Sequence, residues 1–367
     1  MRGIVYTDSA GVGGAEISLG HLVKTAAEEI DLTVVGVSQA VVEAVAAGRS
    51  QAATIVLPDA GLPSLLAHLS TFHRLQPDLI HLNLCTPWAG TVGLVAALSV
   101  PRARVVRVDQ LPLRTTDLWT WLRVRLPSLR VDAHVAVGVA SSRRMEDFYA
   151  LGRNTVVSIP NGVPDQQFSE AVSLPSTDGW LQVGSVGRLD PMKGHDVLLR
   201  ALAQVERTRL VILGEGAFRP QLEQLAAELG IQDRVKLLGW VAQPRPYLST
   251  FDVIAQPSRS EGFPLTVVEA MLASRPIIAT RVGSVAEAIA HEDTGLLIEK
   301  DDVEGLAAAL RRLRDDSALR ERLGERARAI ASAQFTVTHM THQYEALWQK
   351  LLSQPQKSRL WIPRPRD

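Results

Sequence analysis

Short runs of β-branched and other apolar residues recur along the chain, separated by longer stretches whose apolar positions fall at helical spacing. In the first half the runs are Gly3–Thr7, Leu32–Val37, Leu79–Leu82, Arg104–Val108, His134–Val137 and Val156–Ile159, with helical patterns at Glu16–Glu29 and Pro63–Leu75. In the second half they are Leu181–Val186, Arg209–Leu213, Val235–Leu238, Val253–Gln256, Pro276–Thr280 and Gly295–Ile298, with helical patterns at Arg219–Leu229 and Leu265–Ala273. Strand-like runs alternating with helices predict βαβ units and a parallel, doubly wound α/β sheet.

The alternation is interrupted once. Pro160-Asn-Gly-Val-Pro164 opens a polar stretch and Ser173–Gly179 has the composition of a linker, so residues 1–172 and 178–335 are expected to form separate Rossmann-like domains. A charged helical stretch, Val303–Ala331, and an amphipathic helix, Val337–Leu352, follow; residues 354–367, with three prolines and several basic residues, are expected to be a mobile tail. A length of 367 residues fits about two domains. Two doubly wound sheets bind ligands beyond the carboxyl ends of their strands, so the chemistry is expected in a cleft that both domains face.

Composition narrows the function classes. A hydrophobic share of 46% with 21% charged residues is that of an ordinary globular α/β chain. Lys plus Arg and Asp plus Glu both number 39, which gives no overall basic field to attract nucleic acid. The lone cysteine, Cys85, excludes an internal disulfide framework or a cysteine-based zinc site and suits a reducing cytosol. Neither a signal segment at Met1–Tyr6 nor an apolar run of spanning length occurs, so a soluble, cytoplasmic protein is expected, attached at most to the inner face of a membrane.

Three segments carry candidate chemistry. The strongest is Glu261-Gly-Phe-Pro-Leu-Thr-Val-Val-Glu269, which follows a strand and opens a helix. Gly262, Phe263 and Pro264 form the turn, and the amides just after Pro264, at Leu265 and Thr266, point the positive helix end at a ligand: a diphosphate cradle. Glu261 and Glu269 bracket it as acceptors for sugar hydroxyls. The second is Gly187-Arg-Leu-Asp-Pro-Met-Lys-Gly194, where Arg188 and Lys193 can reach the same phosphates and stabilise a departing nucleoside diphosphate without a metal. The third is Gly11-Val-Gly-Gly-Ala-Glu16 after the first strand. Glu16 stands where a dinucleotide fingerprint needs Gly or Ala, and no acidic ribose partner ends the second strand, so Gly13 and Gly14 read as a loop lining the cleft opposite the diphosphate.

Taken as a set, these segments resemble the family-four retaining glycosyltransferases (glycosyl transferases group 1), together with Pro77–His81, Ile159–Val163, Gly214–Gly216, Leu238–Val241 and Gly295–Leu297. The resemblance implies a GT-B fold, with the last helix, residues 336–353, crossing back to an acceptor-binding first domain. It implies a metal-independent hexosyl transfer from a nucleoside-diphosphate sugar, with UDP or GDP as carrier and no other cofactor, to the hydroxyl of a glycan, lipid or small-molecule acceptor. Arg188 and Lys193 would hold the diphosphate, Glu269 the ribose, Glu261 with the Phe263–Leu265 amides the sugar, and Trp240 and Val241 the base. Glu16, Asn83 and Gln110 fall on the acceptor side. Members commonly carry a His after the fourth strand; here Asp109 stands there and is expected to touch the sugar or acceptor as a catalytic residue.

Competing readings are a nucleotide-sugar epimerase on the same scaffold and a noncatalytic nucleotide-sugar-binding subunit. The absence of an Asp-any-Asp triplet speaks against a metal-held diphosphate, and His339 with His342, three apart on a helix, lack a third ligand. Residues 111–126 mix Trp, Leu and Arg, a composition that suits a packed helix, an acceptor wall or a peripheral membrane contact.

Overall fold

The computed structural model describes residues 1–113, 117–165 and 179–355. The chain divides into two compact units, Met1–Gly162 with Val337–Asp367, and Val163–Thr336. The division precedes the expected boundary at 172 because Val163 already belongs to the second unit: its amide donates to the Phe335 carbonyl at 3.0 Å and it bridges Thr336. The expected linker up to residue 178 and most of the expected tail lie outside the described residues.

The first unit holds seven parallel strands: β1 (Arg2–Thr7), β2 (Asp31–Gly36), β3 (Ala53–Val56), β4 (Leu79–Leu84), β5 (Arg104–Asp109), β6 (Ala133–Ala136) and β7 (Val156–Ser158). Their order is β3-β2-β1-β4-β5-β6-β7. Among the described residues six helices connect them: α1 (Gly14–Thr25), α2 (Gln39–Ala46), α3 (Gly61–Leu75), α4 (Thr91–Ser99), α5 (Leu118–Ser128) and α6 (Val139–Tyr149). The second unit holds β8 (Leu181–Val186), β9 (Thr208–Leu213), β10 (Val235–Gly239), β11 (Val253–Gln256), β12 (Ile277–Thr280) and β13 (Leu296–Ile298), all parallel, in the order β10-β9-β8-β11-β12-β13. Its helices are α7 (His195–Ala203), α8 (Arg219–Glu228), α9 (Arg245–Leu248), α10 (Leu265–Leu272), α11 (Val285–Ala288), α12 (Val303–Asp315) and α13 (Ser317–Gln334). Helix α14 (Val337–Ser353) then returns to the first unit.

The central strands are mostly apolar because helices cover both faces, with β5, which carries Arg104, Arg107 and Asp109, the exception. In the first unit, Leu19 and Leu22 of α1, Val41 of α2 and Trp348 of α14 pack on one face of the sheet, and Phe72 of α3 and Leu94 of α4 on the other. The return of α14 is held by polar contacts as well: Thr25 and Thr341 hydroxyls meet at 2.6 Å, and Glu345 accepts from the Ala27 amide at 2.7 Å. The Trp348 and Tyr344 rings lie edge-on to His81 of β4, with centroids 5.8 and 5.1 Å away. Trp348→Ala would remove about 3–5 kcal/mol of this packing.

Three elements differ from the pattern reading. Helix α1 stops at Thr25 rather than near residue 29, because the Arg49 guanidinium takes the carbonyls of Val23, Ala26 and Ala27. Strand β3 was not marked by its own residues, which are few and mostly exposed at the sheet edge. The stretch from Val303 breaks at Asp316, whose extended backbone ends α12 and whose carboxylate caps α13 by accepting from the Leu319 amide at 2.8 Å.

Candidate functional site

In each sheet the strand order reverses once, beside β1 in the first unit and beside β8 in the second, and loops leaving such a point form the natural ligand crevice. In the second unit, β8 pairs with β11, and the two strongest sequence segments are the loops that follow these strands. After β8, Asp190 Oδ1 accepts from the Met192 amide at 2.9 Å and starts a single 3-10 turn, Pro191–Lys193. Gly194 comes next with φ +65°, and a Cβ there would lie 2.0 Å from the Pro257 carbonyl, so only glycine lets the two loops close. Arg259 knits them: its amide donates to Met192 at 2.7 Å, and its guanidinium grips both Asp196 oxygens at 2.9 and 2.7 Å.

This scaffold brings Lys193 Nζ to 2.6 Å from Glu261 Oε1. Gln256 Nε2, at the end of β11, donates to the same oxygen at 3.0 Å and to Ser258 Oγ at 3.0 Å. Glu261 Oε2 takes no hydrogen bond among the described residues, and Gln256 Oε1 is buried without a partner. The carboxylate is therefore oriented through one oxygen and leaves the other to accept from a ligand. The main chain behind it is packed as closely: Gly283, with φ +53°, would place a Cβ 1.8 Å from the Glu261 carbonyl, and the Ser284 amide donates to Gly262 at 2.9 Å. Phe263 is buried against Phe335, with ring centroids 5.2 Å apart. Pro264 precedes α10 with no side-chain cap, and helix geometry gives the Leu265 and Thr266 amides no intrahelical partner. A cation and a mostly buried carboxylate thus pair beyond the carboxyl ends of the central strands β8 and β11, in the loop that leads into α10.

The other expected residues of this unit stand apart from that pair. Arg188 is solvent-exposed and pairs with Asp190 at 3.2 Å, not with Lys193 or Glu261. Glu269, one turn into α10, pairs with Arg245 Nε at 3.0 Å; Arg245 lies on α9, just beyond the β10 turn that carries Trp240 and Val241. Trp240 is 74% exposed beside Gly239, whose carbonyl accepts from Gly214 at 2.8 Å. His195, the first residue of α7, is buried with Nδ1 unpartnered, and burial followed by the Lys193 charge lowers its pKa to about 4. It is neutral at pH 7.

In the first unit the outcome differs from expectation. Asp109 does not present a carboxylate to a ligand: it has no exposed surface, Oδ1 accepts from Arg107 Nε at 3.0 Å and Oδ2 from the Tyr149 hydroxyl at 2.9 Å. Arg107 is equally buried and continues to Ser128 Oγ at 2.7 Å and the Pro87 carbonyl. A charge sunk to this depth has to be paired, and Arg107 on the same strand consumes it. Asn83, Gln110 and Glu16 are also buried. Ser18, Asn161, Gln110 and Asn83 form one hydrogen-bonded chain with steps of 2.7, 3.0 and 2.8 Å, ending on the Ala15 carbonyl. Glu16 caps α1 by accepting from the Gly13 amide at 2.9 Å, and Gly14 opens the helix exposed. His339 and His342 face outward on α14.

Sequence reasoning missed Gln256, Arg259 and Gly283. Gln256 ends an apolar strand run where only its polarity could have signalled it; the other two act through partners far along the chain.

Two parallel-sheet Rossmann-like units with this strand order define a GT-B fold. Solved structures agree: the Anabaena protein HepE in complex with UDP-glucose superimposes with a TM-score of 0.82 at 23% identity, over 95% of this chain and 99% of that one. Sucrose-phosphate synthase from Thermosynechococcus elongatus gives 0.80 at 21% identity, over 96% and 100%. At these identities the likeness speaks for the fold. Residues 168–330 match the family described as glycosyl transferases group 1. Among relatives, a lipopolysaccharide core biosynthesis glycosyltransferase, LpsD of Rhizobium meliloti, is 38% identical over 47% of this chain and 50% of its own length. A D-inositol 3-phosphate glycosyltransferase of Stackebrandtia nassauensis is 34% identical over 57% and 52%. The chain spans about half the length of the curated relatives it matches.

Proposed function

We propose that this protein is a glycosyltransferase that moves a sugar from a nucleoside-diphosphate sugar, with UDP or GDP as carrier, to a hydroxyl of a glycan, lipid or small-molecule acceptor, with retained configuration and without a metal. The observation that carries the reading is the Lys193–Glu261 pair in the loops that follow β8 and β11, the second of which leads into α10. Lys193 and the Leu265 and Thr266 amides are groups for the diphosphate, and Glu261 Oε2 is an acceptor for a sugar hydroxyl. Arg188, exposed on the adjoining loop, is a second cation that exchanges Asp190 for phosphate. Trp240 offers its exposed face to the base, and Glu269 is the ribose acceptor once Arg245 yields. The acceptor binds at the first unit, at the carboxyl ends of its strands. UDP-bound and UDP-glucose-bound relatives of this fold support the donor class.

The bond from the anomeric carbon to the departing phosphate breaks as the acceptor oxygen bonds that carbon on the same face. The acceptor proton passes to a phosphate oxygen. Lys193 and the helix amides stabilise the charge that grows on the diphosphate, and each such preorganised group contributes roughly 10²–10³-fold in rate.

The deciding experiment is a melting-temperature panel with UDP, GDP, ADP and their sugars. A selective rise with UDP or GDP is expected, because a ligand that binds the folded state alone stabilises it by mass action. No rise with any nucleotide, in a protein shown to be folded, overturns the reading. Donor consumption without an acceptor would instead mean an epimerase, tight donor binding without turnover a noncatalytic subunit, and an inverted product would exclude retention. Transfer that stops on chelation and returns with a divalent ion would exclude the metal-free mechanism.

A further inference from the structure

Helices α3, α4 and α5 neighbour one another on one side of the first unit, and none of them contains an aspartate or glutamate. Helix α5 is apolar on two sides. Its inner side packs normally: Val124 is 1% exposed, and Trp121 Nε1 donates to the Phe148 carbonyl. Its outer side carries Trp119, 80% exposed, with Leu126 and Leu129, at the spacing of one helical stripe. Leu62 and Leu66 of α3 and Val95 of α4 are exposed as well. Arg123 and Arg130 flank the α5 stripe, and Arg74 and Arg102 end α3 and follow α4; all four are exposed. Two exposed acids border the face: Asp59, just ahead of α3, and Asp117, which caps α5 by accepting from the Thr120 amide at 2.8 Å.

We propose that this face docks on an anionic phospholipid surface, with Trp119, Leu126 and Leu129 entering the headgroup boundary and the arginines meeting lipid phosphates. Charge decides the occupant. A second copy facing this surface across a two-fold axis would set four arginines against four with only Asp59 and Asp117 on each side to offset them, whereas a bilayer rich in anionic lipid supplies phosphate and an apolar layer together. Tryptophan is at home at that boundary. No helix among the described residues is long and apolar enough to cross a membrane, which suits attachment to a surface rather than insertion.

The test is co-sedimentation of the full chain with vesicles of phosphatidylcholine alone and of phosphatidylcholine with about one-third phosphatidylglycerol. Binding to the anionic vesicles that weakens with added salt is expected. The pair Trp119→Ser and Leu126→Ser should reduce it about tenfold or more, and each of Arg123→Glu and Arg130→Glu about fivefold or more, with unchanged melting temperatures since all four side chains are exposed. Binding no better to anionic than to neutral vesicles overturns the proposal, as does full binding by the Trp119 and Leu126 variant. A salt-insensitive dimer dispersed by that variant, without vesicle binding, would assign the face to self-association and overturn it too.

Discussion

Two ion pairs at strand ends, one in each unit, look alike in composition and differ in what they leave available. Arg107 and Asp109 are buried completely, and both Asp109 oxygens are committed to Arg107 and Tyr149. Lys193 and Glu261 keep some exposure, share one carboxylate oxygen with Gln256, and leave the other without a hydrogen bond among the described residues. The lesson is that a carboxylate at the end of a strand becomes a ligand group only if its packing leaves a lone pair unspent. In the first unit the pair is spent inside the fold, and in the second one carboxylate oxygen is left over for the donor proposed above.

The sharpest way to break this contrast is Asp109→Ala. Removing one partner of a buried pair strands the Arg107 charge, so a loss of about 3–5 kcal/mol in unfolding free energy is expected by denaturant titration. Lost transfer with an unchanged melting curve would instead make Asp109 a ligand contact. Lys193→Ala should do the reverse: a melting temperature close to wild type, with kcat/KM for transfer lowered roughly 10²–10³-fold, about 2.7–4 kcal/mol. Equal loss of stability at both positions would erase the distinction.

Acid sharpens the contrast less. Burial lowers the pKa of His81 in the first unit to about 3 and of His195 in the second to about 4. Both native histidines therefore hold off a proton that the unfolded chain binds below about pH 6.5. Stability should be full above that pH and fall by up to about 1.4 kcal/mol per pH unit for each histidine as pH drops, His195 ceasing to add near 4 and His81 near 3. A melting temperature flat between pH 7 and 4 would contradict this. The smallest effect concerns Gln256→Leu. It removes one donor from Glu261, so UDP-sugar affinity should fall about fivefold, the worth of one hydrogen bond, while UDP affinity stays unchanged. Equal weakening of both ligands would mean a general structural role.

Much of the scaffold was legible from periodicity. Strand runs such as Val253–Gln256 and Leu181–Val186 show because a strand covered on both faces is mostly apolar. The turn Gly262–Pro264 and the start of α10 show because glycine, proline and a helix onset leave local marks. Strand β3 and the break at Asp316 did not show, since an exposed edge strand and a single capping carboxylate leave faint ones.

The sequence by itself determined the two parallel sheets and the candidate segments, because those features depend on neighbours a few residues apart. Which charged residue is spent and which remains available was decided by tertiary structure alone. Asp109 meets Tyr149 across 40 positions and Lys193 meets Glu261 across 68. Desolvation acts on whatever the fold brings together, and no local pattern records a partner that far away.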